Sequence, residues 1–562
     1  MSALSAYPRL SAAAWKISRY LREPRVLRYD RDVWLDYWKT RHHLDLGKGK
    51  ALPQADQRRQ VLIVSMTELP ILLKFHGLLA LALRIRGFHP VMLLPSKKAR
   101  SLRYLQLFGI DDVVTWRELL GESAPLTEEI SRAVDAVLAE KPSVQDLKNF
   151  QFHGVFVGKH ALSTAIRTRL QGRFDLTDPG QMQLVRENLI KSMQSVLVAE
   201  RLLSARPIRK MIVRDAGYTP NGGVYEVGLL RGVDCVRCEM AQMRAHWLFK
   251  RYDLESRGKA LFSLSEESWR SLREKPLTSS QERELAENFR DRYDPRSVTD
   301  LYKYQDGKRQ MRAEEVSRKL GLDPSKKTAV IFSHISWDAS FFDGEDLYDD
   351  YEQWLVETVR VARENPHLNW IVKLHPANRY KLKREADVIN RETEIDALES
   401  LGSLPEHIKI LHANTDINTY SLFDAMDYGV TVRGTIGMEL PCFGIPVLTA
   451  GTGRYEGCGF TIDSASRVEY EDRLRGLQRV SRLVGAQVDL ARRHAYWTLI
   501  RRQVSFEDIA PATSMPHDQI THPLHYNVEL RARSLDEIRS AVSLHAFTKW
   551  FLESDEADFM SF

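Results

Sequence analysis

Between Lys327 and Ala450 the chain alternates short β-branched runs with amphipathic stretches, and this alternation restricts the possible folds more than any other feature. "KTAVIFS" reads as a strand, and "DYEQWLVETVRVARENP" follows as a helix. The strands "NWIVKLHP" and "IKIL" come next. "INTYSLFDAM" reads as a helix that Asp416 is placed to N-cap. The strand "YGVTVR", the short helix "TIGMEL" and the strand "IPVLTA" complete the series. Strands joined through helices cannot pair as hairpins. They pair in parallel by crossovers, which predicts a doubly wound, Rossmann-like sheet.

A weaker form of the same pattern precedes it. "VLIVSM", a helical stretch from Ile71 to Arg86, "GFHPVMLLP" and "IDDVVTW" form a βαβ series. Helices are predicted in "VFVGKHALSTAIRTRL" and from Leu184 to Leu203, then a strand "MIVRDAG", a helix near Gly223 to Leu230 and a strand "VDCVRCE". At 562 residues the chain is too long for one core. The expected organisation is an N-terminal extension (1–55), a first α/β domain (56–265), a polar helical region (266–325), a second α/β domain (326–480) and C-terminal helices (481–562). Two Rossmann-like domains would then face one ligand at the carboxyl ends of their strands.

Charge and composition exclude several functions. Hydrophobic content of 43% and charged content of 28% belong to a folded, soluble type of chain. Apolar windows such as "LLALAL" are far shorter than the roughly 18 residues of a spanning helix. The start lacks a signal-type apolar core, so a cytoplasmic location is expected. Residues 1–60 hold 13 Lys or Arg against 6 Asp or Glu, whereas the rest is nearly neutral. Trp15, Trp34, Trp38, Tyr7, Tyr20, Tyr29 and Tyr37 lie in the same segment. That mixture suits an anionic membrane surface, or a helical extension packed on the first domain with its arginines in water. Nucleic acid binding is not expected from a chain otherwise without basic excess. Four cysteines make no disulfide framework, and "CVRC" at Cys235 and Cys238, which has the spacing of a redox or half-zinc motif, reads as ordinary reduced cysteines near a strand.

The chemistry is expected where strands end. In "RGTIGMEL", Arg433 ends a strand, Gly434 to Gly437 turn into a helix start, and free amides there suit an anion. Thr435 could add its hydroxyl, and Glu439, one turn on, would accept from ribose hydroxyls. Pro441 shortens that helix. The alternative is a glycine turn with a solvated glutamate. In "VKLHP", Lys373 and His375 share a face, and Pro376 ends the ladder, displaying the imidazole to a phosphate or leaving group; otherwise it caps the next helix. "SHISWD" supplies Ser333, His334, Ser336, Trp337 and Asp338, and "RDAGYTPNGG" supplies Asp215 and Tyr218, unless both are polar surface loops.

"SHISWD", "WIVKLHP", "VRGTIGMELPCFGIPVLTAG" and "RYEGCGFTIDS", in that order, resemble the glycosyltransferases of capsule polysaccharide biosynthesis. This is a GT-B group that includes bacterial β-Kdo transferases and, more distantly, CDP-glycerol glycerophosphotransferases. The resemblance covers residues 328–465. It implies a GT-B-like fold in which His375 touches the donor phosphate, Thr435 and the Gly434–Gly437 turn cradle it, and Glu439 holds the ribose. It also implies metal-independent transfer without a cofactor. A nucleotide sugar (CMP- or other NDP-linked) would be the donor, and a glycan or lipid-linked oligosaccharide the acceptor. Asp338 and, more weakly, Asp215 are the candidate bases. A sugar-nucleotide 2-epimerase, a CDP-glycerol-type phosphotransferase and a non-catalytic assembly scaffold are the competing readings.

Overall fold

The computed structural model describes residues 24–44, 46, 54–96, 99–121, 124–169, 172–297, 304–305, 307–338, 341–378, 392–514, 524 and 526–561. Tyr7, Trp15 and Tyr20 lie outside them. The chain forms two compact units, one of Met1–Thr115 with Ser505–Ser554 and one of Trp116–Val504 with Asp555–Phe562.

In the first unit, β1 (Asp56–Val64), β2 (Phe88–Leu94) and β3 (Val113–Thr115) are parallel neighbours in chain order. Val61 to Val64 are all buried. An unbroken apolar run of this kind belongs to a strand covered on both faces. The crossover helix Pro70–Ile85 is buried along almost its whole length, Lys74 included. The ammonium of Lys74 donates to Asp36 Oδ1 at 2.7 Å, Val528 O at 2.9 Å and Asn527 Oδ1 at 3.3 Å. Asp36, on the helix Pro24–His43, also accepts from Tyr104 Oη at 2.6 Å and Asn527 Nδ2 at 2.9 Å. This buried ion pair fastens the N-terminal helix and the hairpin Ala512–Ser514/Tyr526–Val528 to the crossover helix.

The second unit begins with the helices Trp116–Leu120, Ala124–Ala139 and Val144–Asn149, and the longer helices Val157–Arg169 and Pro179–Ala205 follow. β4 (Ile208–Val213) then pairs in parallel with β5 (Asp234–Met240), across the helix Asn221–Leu230. β6 (His246–Tyr252) runs antiparallel to β5. Cys235 and Cys238 are free thiols buried in β5, as the sequence suggests. The helices Glu266–Leu272, Ser279–Tyr293 and Ala313–Leu320 follow.

The six-stranded sheet comprises β7 (Lys327–Phe332), β8 (Leu368–Lys373), β9 (Ile408–Leu411), β10 (Tyr428–Thr431), β11 (Val447–Thr449) and β12 (Ile462–Asp463). All neighbours are parallel, in the order β12-β11-β10-β7-β8-β9. Counted from β7 this is 3-2-1-4-5-6, the Rossmann order, and it reverses direction between β7 and β10. The predicted α/β, Rossmann-like class is therefore the observed one.

Local expectations differ in two places. "INTYSLFDAM" forms only a 3₁₀ turn, Thr419–Leu422, capped by the Asn418 side chain. Asp416 instead pairs with Lys319 at 2.5 Å and Arg309 at 3.3 Å, so cations from the preceding helical region displace it from the cap. The helix of "TIGMEL" is limited to Ile436–Glu439, because Pro441 converts its continuation to a 3₁₀ turn.

Asp36→Ala leaves the buried Lys74 ammonium without its carboxylate and should cost about 3–5 kcal/mol in chemical denaturation. The paired change Asp36→Leu/Lys74→Met should recover most of that loss. Equal destabilisation by both variants would refute the ion pair's structural role.

Candidate functional site

A crevice opens where strand order reverses, because the crossovers on either side of β7 and β10 leave in opposite directions. The residues that follow these two strands are Ser333–His334 and Val432–Arg433–Gly434. His334 joins them: its Nε2 lies 3.0 Å from Thr431 Oγ1 and accepts the N–H of Val432 at 3.0 Å. Burial, with His375 and the guanidinium groups of Arg433 and Arg454 nearby, holds this imidazole well below its ordinary pKa, so it stays neutral.

At the end of β8, Lys373 is buried and His375 half-buried. The His375 Nδ1 accepts the N–H of Ala377 at 3.1 Å. A neutral ring then carries its proton on Nε2, as a donor with no acceptor among the described residues. Burial, followed by Lys373 and Lys308, pulls His375 down to about 3. Burial and Lys308 also pull Lys373 down to about 7. Pro376 is buried and opens a short helical turn, which the His375 side chain caps through the Ala377 N–H, the alternative reading of that histidine.

Glu394 organises this corner, and nothing local in the sequence marks it. Its buried Oε1 accepts from Asn378 Nδ2 at 2.6 Å, Ser333 Oγ at 2.9 Å and the His375 N–H at 3.1 Å. Asn378 Nδ2 also donates to His334 O at 3.0 Å, and Asn378 Oδ1 accepts the Ser336 N–H at 3.2 Å. One carboxylate and one amide thus lock the β7 and β8 loops together. Ser333 is engaged inward rather than toward a ligand. Trp337 is buried beside Ala377, Tyr304 and Ile335.

The glycine turn needs the largest correction. A Cβ on Gly437 would lie 2.0 Å from Tyr455 Oη, and the same hydroxyl donates to Gly434 O at 2.8 Å. The space at Gly437 therefore admits a tyrosine of this chain, not an anion. Arg433 is held by Asp346 and the carbonyl of Asp343, so it is not open to a phosphate either. Glu439, 1% exposed, receives Arg292 Nη2 at 2.7 Å on one oxygen and the Tyr293 hydroxyl on the other. Both oxygens have partners, so its expected ribose contact gives way to a clamp on the helix Ser279–Tyr293. What the turn leaves open is the half-buried Thr435 hydroxyl and the N–H groups of Thr435 and Ile436, which meet no acceptor among the described residues. Arg454 is a further cation of the crevice. It stacks over Phe262 at 5.1 Å and has no carboxylate partner among the described residues.

The two candidate acids converge on one guanidinium. Arg167 lies 3.4 Å from Asp215 and 3.6 Å from Asp338, and the Tyr218 hydroxyl donates to Asp338 at 3.0 Å. Asp215 adopts φ 52° at the end of β4, and its N–H donates to Glu239 Oε1 at 2.6 Å. Burial acts to raise Asp215, but Arg214 and Arg167 outweigh it and hold the carboxyl below its usual range. Glu239, missed in the sequence, is pushed up to about 7, mainly by burial. Its location in "VDCVRCE", directly after two core cysteines, gave no sign of this.

Gly437→Ala should cost about 1–3 kcal/mol in urea denaturation, since the added methyl must move Tyr455. Gly434→Ala meets Thr431 Oγ1 at 2.9 Å and should cost less. A neutral Gly437→Ala would restore the reading of that glycine as ligand space.

Comparison with known proteins adds a family. Residues 289–498 match the profile described as "Capsule polysaccharide biosynthesis protein". No curated protein matches the chain. Among solved structures it is similar to the Thermosulfurimonas dismutans KpsC β-Kdo 2,4 transferase, at 14% identity and TM-score 0.31, covering 51% of this chain and 79% of that one. It is also similar to the UDP-GlcNAc 2-epimerase from Neisseria meningitidis, at 12% identity and TM-score 0.23, over 78% and 99% of the two chains. Likeness this distant assigns no activity. The matched stretch, similar to the capsule polysaccharide biosynthesis proteins, holds the whole six-stranded sheet together with its Lys373–His375 and Arg433–Glu439 loops.

Proposed function

We propose that the protein is a glycosyltransferase that moves a sugar from a nucleotide-activated donor to a surface or capsular glycan, or to its lipid-linked precursor. The observation that carries this reading is the set of unengaged donors at the strand-order reversal. Lys373 Nζ and His375 Nε2–H follow β8, and the Thr435 hydroxyl and two amides follow β10, all at carboxyl ends of strands in the matched segment. Such preorganised donors stabilise the charge that develops on a departing nucleotide phosphate, and they need no reorganisation as it forms. In this reading those side chains and amides, rather than a cation, meet the phosphate.

The acceptor hydroxyl would lose its proton to Asp338, which is 38% exposed and oriented by Tyr218 and Arg167. Asp215 is the weaker base, being held between two guanidinium groups. Glu239, buried behind it, fits a positioning role.

Membrane association is proposed for the N-terminal helix. Leu27, Trp34 and Leu35 are each about half exposed on Pro24–His43, next to exposed Arg28 and Arg31. No helix among the described residues is long and apolar enough to cross a membrane.

Two experiments test these readings. One nucleotide class from a panel of nucleoside mono- and diphosphates should raise the melting temperature, by about 2.7 kcal/mol of added stability at 100 times its dissociation constant. His375→Ala should remove that shift, and Asp338→Asn should keep it while lowering turnover roughly 10²–10⁴-fold. No response to any nucleotide, or interconversion of two nucleotide sugars without an acceptor, would overturn the transferase. In flotation assays the chain should rise with anionic but not neutral vesicles, and Trp34→Ala/Leu35→Ala should abolish this. Equal recovery with both vesicle types would exclude the proposed surface.

A further inference from the structure

Buried cations in this molecule are generally met by acceptors. Lys74 faces Asp36, Arg237 faces Asp343, Arg433 faces Asp346, and Arg502 faces Asp558. Lys308 departs from that rule. It is 7% exposed, and its Nζ is out of water with no hydrogen-bond partner among the described residues. Lys373, 8% exposed, likewise has no partner among them. An unpaired ammonium in such surroundings costs several kcal/mol unless something compensates it.

The fold holds Lys308 in this position. Its N–H bonds to Gln305 O at 3.1 Å, and Gln305 is itself bonded through both side-chain atoms to Thr419, each at 3.0 Å. On the other side, Arg309 N–H donates to Asp416 O at 2.7 Å, and Arg309 O accepts from the Asn418 N–H at 3.0 Å. The backbone is thus fixed to the 3₁₀ turn after β9 on both flanks. The Tyr304 ring, four residues before Lys308, packs edge-on against His375 with centroids 5.3 Å apart, which brings this segment to the end of β8. Lys308 and Glu394 act on Lys373, both lysines act on His375, and His375 in turn acts on His334. Glu394 is the carboxylate that acts on Lys373, but it forms no ion pair with either lysine among the described residues.

We propose that Lys308, Lys373 and His375 form one preformed pocket for a phosphate group, with Lys308 as a ligand-binding residue supplied from outside the Rossmann sheet. This rests on the transferase reading for the identity of the ligand, a donor phosphate, but not for the pocket itself. Binding is coupled to protonation. With the pocket empty, burial pulls Lys308 down to about 8 and, with Lys308's help, Lys373 down to about 7. An anion favours the charged form of both. It therefore binds with proton uptake, most tightly below pH 7, and progressively less well as pH rises past 7 and then 8.

The probe is sulfate, whose charge is constant over this range, measured by calorimetry on the full chain at pH 6.5 and 8.5. CMP, UDP and inorganic phosphate are run alongside. Wild type should bind sulfate about tenfold more tightly at pH 6.5, with proton uptake evident from buffers of different ionisation enthalpy. Lys308→Met should weaken sulfate at least tenfold at pH 6.5 and flatten the pH dependence. It should also raise the melting temperature of the ligand-free protein, since an unpaired buried charge is removed. A destabilised Lys308→Met that binds sulfate as wild type does, or pH-independent binding, would overturn the pocket. A nucleotide that binds more tightly than inorganic phosphate and loses affinity in Lys308→Met identifies the donor as the phosphate's source. Inorganic phosphate binding that no nucleotide displaces assigns the pocket to a phosphorylated acceptor. In that case the donor reading fails and the pocket stands.

Discussion

Two adjacent parallel strands whose crossovers leave in opposite directions cannot be roofed by the same connection. In this protein those strands are β7 and β10, and the gap beyond their carboxyl ends is the geometric fact from which the site follows. His334 bridges the gap from below by accepting the Val432 N–H. Glu394 and Asn378 bind the adjoining β8 loop to the same floor. With the floor braced this way, the groups that remain unengaged are mostly positive or hydrogen-donating. Lys308, Lys373, His375 Nε2, Arg454 and the Thr435 turn all lack a carboxylate of their own among the described residues.

That imbalance sets the electrostatics. Burial lowers the pKa of each of these groups, and in addition Lys308 depresses Lys373 and both lysines depress His375. The arrangement costs stability while empty. In the phosphate pocket proposed above, an entering anion would offset that cost. The acids of the opposite wall are treated differently. Asp215 and Asp338 share Arg167, so their charge is balanced before any ligand arrives.

Much of the fold was legible in residue order, because strand–helix alternation is a local signal. The strand-end location of Lys373 and His375 was legible for the same reason: period-2 alternation followed by Pro376 requires it. The roles of the "RGTIGMEL" residues were not. Gly437 is small because of Tyr455, and Glu439 is buried because Arg292 and Tyr293 reach it from a helix far earlier in the chain. A motif read in isolation assigns such residues to a ligand, since their protein partners are invisible in the sequence. Arg433 was misread in the same way, its partner being Asp346 in the loop after β7. Glu394, Asn378, Glu239 and Lys308 were missed because each looks like an ordinary polar residue until its neighbours are known.

By itself, then, the sequence determined the alternating α/β architecture, the parallel sheet and the free state of its cysteines. Hydrophobic periodicity and Gly/Pro punctuation act over a few residues and survive without knowledge of the fold. Only the tertiary structure decided which polar groups neutralise each other and which are left without a partner. Pairing is a matter of distance between side chains that can lie more than a hundred residues apart, and no local pattern records it.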